Sequence, residues 1–266
     1  MLEILSYNFF QHALIAGILV SLIAGSLGTL VVLRREPNIT HAIANILFLG
    51  IVISLFFSGN YYLYGVIFAL LGVIFLTLLE RYSSTSREST KEILGQLGLA
   101  WGIFAVGILG NLQLDVFNFL FGNILFVSRQ DIFLLGVLLI LWVILAIFFG
   151  KKFFRVTLSP EIAESQGLRV SLYEFWYLLY LALFIAFSVK IFGVMLLWAF
   201  LVLPANIGRS LSKNLRGVCV IATLTSLFSV IVWLFVSYFF DTSAWASIVL
   251  ILWIIFLVSV FWSTKK

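Results

Sequence analysis

Few side chains in this sequence can bind or move an ion. There are two histidines, His12 and His41, one cysteine, Cys219, and eleven carboxylates among 266 residues. His41 and Asn45 stand four residues apart in THAIANILFLG, Thr40 to Gly50. That spacing stacks both on one face of a helix. The pair would handle a divalent ion only weakly, because a neutral amide is a poor ligand for zinc. Two roles fit these residue types. The pair lines a translocation route, since polar groups inside a membrane are costly and usually face a cavity. Alternatively, His41 caps backbone or meets headgroups while Asn45 ties helices together by a hydrogen bond. Asp115 and Asp241 fall in loops, where they either receive a cation or simply solvate the loop. Cys219 opens an apolar segment and reads as packing; alone, it excludes an internal disulfide framework. No nucleophile–base pair and no closed metal set assembles from this inventory, which argues against a membrane enzyme.

The elements that must position these groups are membrane spans. The chain is 63% hydrophobic with 28 Phe and 8 Trp, more apolar surface than a water-soluble domain of this size can hide. Apolar runs long enough to cross the roughly 30 Å hydrocarbon core recur along it, and the alternation of an outer-membrane barrel is absent. The sequence predicts an all-α polytopic membrane protein, residues 1–266 forming one transmembrane domain of about nine helices (eight to ten). The spans are placed at 13–32, 39–57, 61–79, 93–109, 132–149, 175–189, 191–207, 218–239 and 246–262. Between the fourth and fifth, residues 112–127 are apolar but broken by Gly, Asn and Asp, and read as a short re-entrant or interfacial helix.

With the N-terminus outside and the C-terminus in the cytoplasm, 14 of the 16 basic residues fall in cytoplasmic segments, leaving Arg129 and Lys190 outside. The net charge of +5 therefore speaks to loop orientation, not to nucleic acid. The same orientation puts a polar island, LSPEIAESQGL (158–168), on the cytoplasmic side. Its helix signals are complete: Ser159 as N-cap, Pro160 at the first helical position, Glu161 and Glu164 near the positive dipole end, Gly167 to end it. It reads either as a helical linker or as a docking knob, with Leu158, Ile162 and Leu168 as exposed apolar contacts for a groove on a partner.

On four blocks the chain resembles the permease subunits of ABC importers for metal ions of the zinc, manganese or iron type. The first is Glu161-Ile-Ala163-Glu164-Ser-Gln-Gly167, similar to the family's acidic–x–x–Ala–x–x–x–Gly loop. The second is LFGNILFVSRQD, Leu120 to Asp131. The third is FGVMLLWAFLVLPANIGRSL, Phe192 to Leu211. The fourth is SYFFDTSAWASIVL, Ser237 to Leu250, which has Ser243 and Trp245 where the family carries Pro and Gly. A fifth position departs further: Asn45 stands where the family commonly has a second histidine.

The resemblance implies that 158–168 is a coupling helix resting on a separate cytoplasmic ATP-binding subunit. ATP and Mg would be bound there, and this chain would hold no cofactor and no tight metal site; it has no GxxxxGK[ST] phosphate loop of its own. A second permease copy, an extracellular metal-binding protein and the bacterial cytoplasmic membrane complete the expectation, with no nucleic acid partner. Gly193 and Pro204 are expected to let their span bend. The alternative is a motor-independent channel or secondary carrier, for which Asp131, at a span end, is the nearest proton-coupling carboxylate.

Overall fold

A computed structural model describes residues 8–57, 59–82, 86–109, 119–122, 127–240 and 244–263. All the elements among them are helices: α1 (Asn8–Leu33), α2 (Asn38–Phe56), α3 (Tyr61–Tyr82), α4 (Arg87–Leu109), α5 (Arg129–Leu158), α6 (Pro160–Ser165), α7 (Val170–Leu211), α8 (Leu215–Phe240) and α9 (Ala244–Ser263). Seven of these (α1–α5, α7 and α8) are long and apolar enough to cross a membrane, and the apolar stretch of α9, Ser247–Phe261, is shorter. Local chemistry sets their starts. Asn60 Oδ1 accepts the backbone N–H groups of Tyr62 and Leu63 ahead of α3. Ser128 and Asp131 bond reciprocally at the start of α5, backbone N–H to carboxylate at 2.8 Å and backbone N–H to hydroxyl at 3.3 Å. That is a capping-box arrangement, and it occupies the one carboxylate considered for proton coupling.

The predicted break between the sixth and seventh spans does not fall at Lys190. The chain stays helical through it, and the backbone leaves helical geometry at Gly193 instead (φ 76°, ψ 158°). Lys190 needs no loop: its ammonium sits 5.7 Å from the ring centres of both Tyr61 and Tyr62, within cation–π range.

The chain divides into two compact units. The first comprises 1–35, 123–151 and 198–266; the second, 36–122 and 152–197. In the first, α1 packs on α8, and Trp142 of α5 donates its indole N–H to Ser26 Oγ at 2.6 Å. Buried hydroxyls there bond back to their own helices: Ser21 to the Gly17 carbonyl, Thr29 to Gly25, Ser226 to Ala222. This satisfies them where no water is at hand. In the second unit, α2 lies against both α3 and α4. The α4 contact is close because Gly95 and Gly98 face backbone: a Cβ on Gly95 would lie 2.7 Å from Ala42 Cα, and one on Gly98 3.0 Å from Ile46 Cα. Small residues at such seams let membrane helices approach.

Candidate functional site

The polar island folds as the sequence predicts, with two corrections. Pro160 opens α6 at its first position and Glu161 lies in the first turn. Ser159 flanks the helix, but its side chain makes no capping bond; its backbone carbonyl accepts from Ala163 at 3.0 Å. At the other end the Leu168 N–H reaches the Ala163 carbonyl (3.0 Å) and the Gly167 N–H the Glu164 carbonyl (2.9 Å). With Gly167 at φ +78°, this is a Schellman stop. Its usual apolar contact explains the second correction: Leu168 is not an exposed anchor but packs, partly buried, on Val156, Ala163 and Val170.

Ala163 is the pin of this element. It is 1% exposed in a helix whose other residues face outward. Ile162 and Leu158 are 58% and 52% exposed, and Glu161 and Glu164 are exposed beside them. Phe153 meets Tyr173 edge-on at 5.8 Å beneath the turn, and Arg155 reaches Gln166 Oε1 at 3.4 Å. The outcome is a short, braced projection with an apolar centre and an acidic rim.

His41 and Asn45 both lie on α2, as the spacing requires. His41 is half-buried, and Asn45 is fully buried with neither amide atom hydrogen-bonded. A buried amide left unpaired is costly, so the role of Asn45 as a hydrogen-bonding tie between helices is not realised in this conformation. Among the described residues no group of three or more His, Cys, Asp or Glu is placed to hold a metal ion. Asp115, Asp241 and most of the 112–127 segment lie outside the described residues.

Of the two expected bend positions, Gly193 is the one whose backbone departs from the helix; Pro204 is buried inside α7. Gly193 faces a second glycine that sequence reasoning did not single out, Gly122. Each has positive φ (76° and 75°). A Cβ on Gly193 would lie 2.6 Å from the Leu120 carbonyl oxygen, and one on Gly122 2.6 Å from that of Ile191. Aromatic contacts lace the same region: Tyr61 with Phe119 at 5.5 Å and Tyr62 with Phe187 at 5.9 Å. A second feature missed in the sequence is ionic. Lys91 is 2% exposed and bridges Glu36 (2.8 Å) and Glu80 (3.2 Å), tying the approach to α2, the end of α3 and the start of α4. Such a bridge is strongly disrupted when one partner is removed.

The sequence profile of the ABC 3 transport family matches residues 6–263. The chain is 30% identical over 249 residues to the high-affinity zinc uptake system membrane protein ZnuB of Haemophilus influenzae, covering 94% of this chain and 95% of that one. It is 28% identical to the manganese import system permease protein ScaB of Streptococcus gordonii, covering 98% and 93%. Its fold is similar to that solved for PsaBC from Streptococcus pneumoniae in complex with Fab, with TM-score 0.86 and 26% identity over 96% of this chain and 92% of that one.

Proposed function

The chain belongs to the ABC 3 transport family, and we propose that it is the permease subunit of an ATP-driven importer carrying a divalent metal ion, zinc or manganese, into a bacterial cell. The observation that carries this reading is α6. A six-residue helix pinned by one buried alanine presents Glu161, Ile162 and Glu164 outward, which supports its use as a coupling contact. The similar chains named for zinc and manganese uptake supply the class of cargo.

In this reading residues 1–266 form one permease domain with nine crossings. The two parts of α7 on either side of Gly193 count separately and α9 is the last. The N-terminus is outside, and 158–168 is the coupling helix on the cytoplasmic side. Two copies pair around the path. Each rests on an ATP-binding subunit, which holds ATP and Mg, and an extracellular binding protein delivers the ion. Nucleotide acts by favouring one of two conformations. The α6 projection transmits that preference, and Gly193 takes up part of the backbone change. His41 and Asn45 meet the ion in transit; Asp115 and Asp241 receive it at the outer mouth. Weak ligands suit this task, because affinity resides in the binding protein and a tight site would slow release.

The test is uptake of radioactive zinc or manganese into vesicles holding the full complex, with and without internal ATP. Uptake that requires ATP supports the proposal. Uptake that persists without ATP and collapses with the proton gradient would establish the motor-independent carrier instead.

A further inference from the structure

Helix α5 is longer than the membrane it crosses. Its 30 residues rise about 45 Å at 1.5 Å each, against a hydrocarbon core of about 30 Å. Asp131 is fixed at its start by Ser128, and Lys151 follows about 30 Å further along. Of the seven candidate spans found among the described residues, α5 is the least buried. Phe133, Val137, Ile140, Ile144 and Ile147 are exposed, at steps of three and four residues that keep them on one face. Leu135, Leu138 and Trp142 are buried on the opposite side.

The exposed stripe does not stop where the hydrocarbon does. Its next two positions, each four residues on, are Lys151 and Arg155, and both are exposed. The buried face also continues, through Phe153 and Val156, so the helix carries its outward side straight into the headgroup layer. Among the described residues neither cation is paired with a carboxylate. Snorkelling alone would account for a lone cation here, but Arg155 does more. Its Nη1 donates to Gln166 Oε1 at 3.4 Å, and Gln166 is the residue that ends α6. A guanidinium has five N–H donors in a planar fork. One bond to Gln166 leaves the others for a phosphate group.

We propose that Lys151 and Arg155 form a headgroup site for an anionic phospholipid of the cytoplasmic leaflet, and that a lipid held there braces α6 through the Arg155–Gln166 bond. The inference rests on the permease reading, which puts this end of α5 in the cytoplasm, and it adds a lipid to what governs the coupling helix. The acyl chains lie against Ile144, Ile147 and Phe148, all exposed. The phosphate oxygens take two cations stacked one turn apart. The cytoplasmic leaflet is the one that carries a negative surface potential. Each basic residue at its surface favours an anionic over a zwitterionic headgroup about fivefold, and the two together about thirtyfold. Coupled ATPase activity therefore rises with the anionic lipid content of the membrane.

The test uses the full complex. Delipidated in neutral detergent, it is titrated with phosphatidylglycerol or phosphatidylcholine, and native mass spectrometry follows the first lipid bound. Lys151→Gln combined with Arg155→Gln should weaken phosphatidylglycerol binding about thirtyfold, each single change about fivefold, with phosphatidylcholine binding unmoved. In nanodiscs, adding phosphatidylglycerol to phosphatidylcholine should raise the parent's metal-stimulated ATPase activity. Gln166→Ala should bind the lipid as the parent does and lose that rise. Equal phosphatidylglycerol affinity in the double variant and the parent would overturn the site. A rise absent from the parent, or surviving Gln166→Ala, would overturn the brace. Loss of the ATP-binding subunit from the double variant in phosphatidylcholine would assign the two cations to a protein contact and overturn the lipid site. Absence of metal-stimulated ATPase activity from the parent in both lipids would instead defeat the permease reading, and the lipid titration would still decide the headgroup site.

Discussion

Replacing Gly193 with alanine should damage the chain more than replacing Gly167, although both glycines have nearly the same positive φ (76° and 78°). At Gly167 a Cβ would meet nothing within 4 Å. The cost there is the backbone term alone, about 1–2 kcal/mol for an L-residue in the left-handed region, and asparagine should recover most of it. At Gly193 the ψ of 158° places the residue in a region that is essentially glycine-only, worth about 1–3 kcal/mol by itself. The new Cβ would also press on the backbone of Phe121 and Gly122 and lie 2.6 Å from the Leu120 carbonyl oxygen. Backbone cannot rotate away as a side chain can, so the 119–122 segment must move. The total should exceed about 3 kcal/mol, and asparagine should not rescue it. Thermal unfolding of the purified full chain in detergent, followed by tryptophan fluorescence, would rank the variants. Gly193→Ala melting together with Gly167→Ala would refute the claim that the Gly122–Gly193 contact is built on backbone packing.

Three other outcomes are expected. Glu161→Lys combined with Glu164→Lys should lower metal-stimulated ATPase activity of the assembled complex while leaving expression intact, because both carboxylates are exposed and hold up no packing. Lys91→Met should cost about 3–5 kcal/mol of stability, since it removes the buried ammonium that Glu36 and Glu80 share; adding Glu36→Gln and Glu80→Gln should restore much of the melting temperature. Asn45→His should place two imidazoles at i and i+4 on α2, raise the zinc retained by the purified complex as measured by elemental analysis, and slow release into vesicles.

What the sequence made legible was local. Pro160, Glu161 and Gly167 act within one turn of where they stand, so the polar island could be drawn almost whole. Ser159 and Leu168 were misjudged because backbone geometry took over the capping and the Schellman stop drew the leucine inward. Lys190 read as a loop residue because a lone lysine between apolar runs usually marks one; the rings that accept it, Tyr61 and Tyr62, are far away in sequence. For the same reason Lys91 counted only as a basic residue favouring the cytoplasm, and Gly122 only as part of a loop. Their partners Glu36, Glu80 and Gly193 come from other elements, and no periodicity announces such pairings.

The most direct test of the account is a crosslink at the coupling helix. With Cys219 replaced by Ser and the only cysteine placed at Glu164, a thiol-to-amine crosslinker applied in native membranes should capture an ATP-binding subunit, identified by mass spectrometry. Free labelling of that cysteine by a soluble reagent from the cytoplasmic side, with no protein captured, would make α6 an ordinary surface turn and contradict the claim that it couples this permease to a motor.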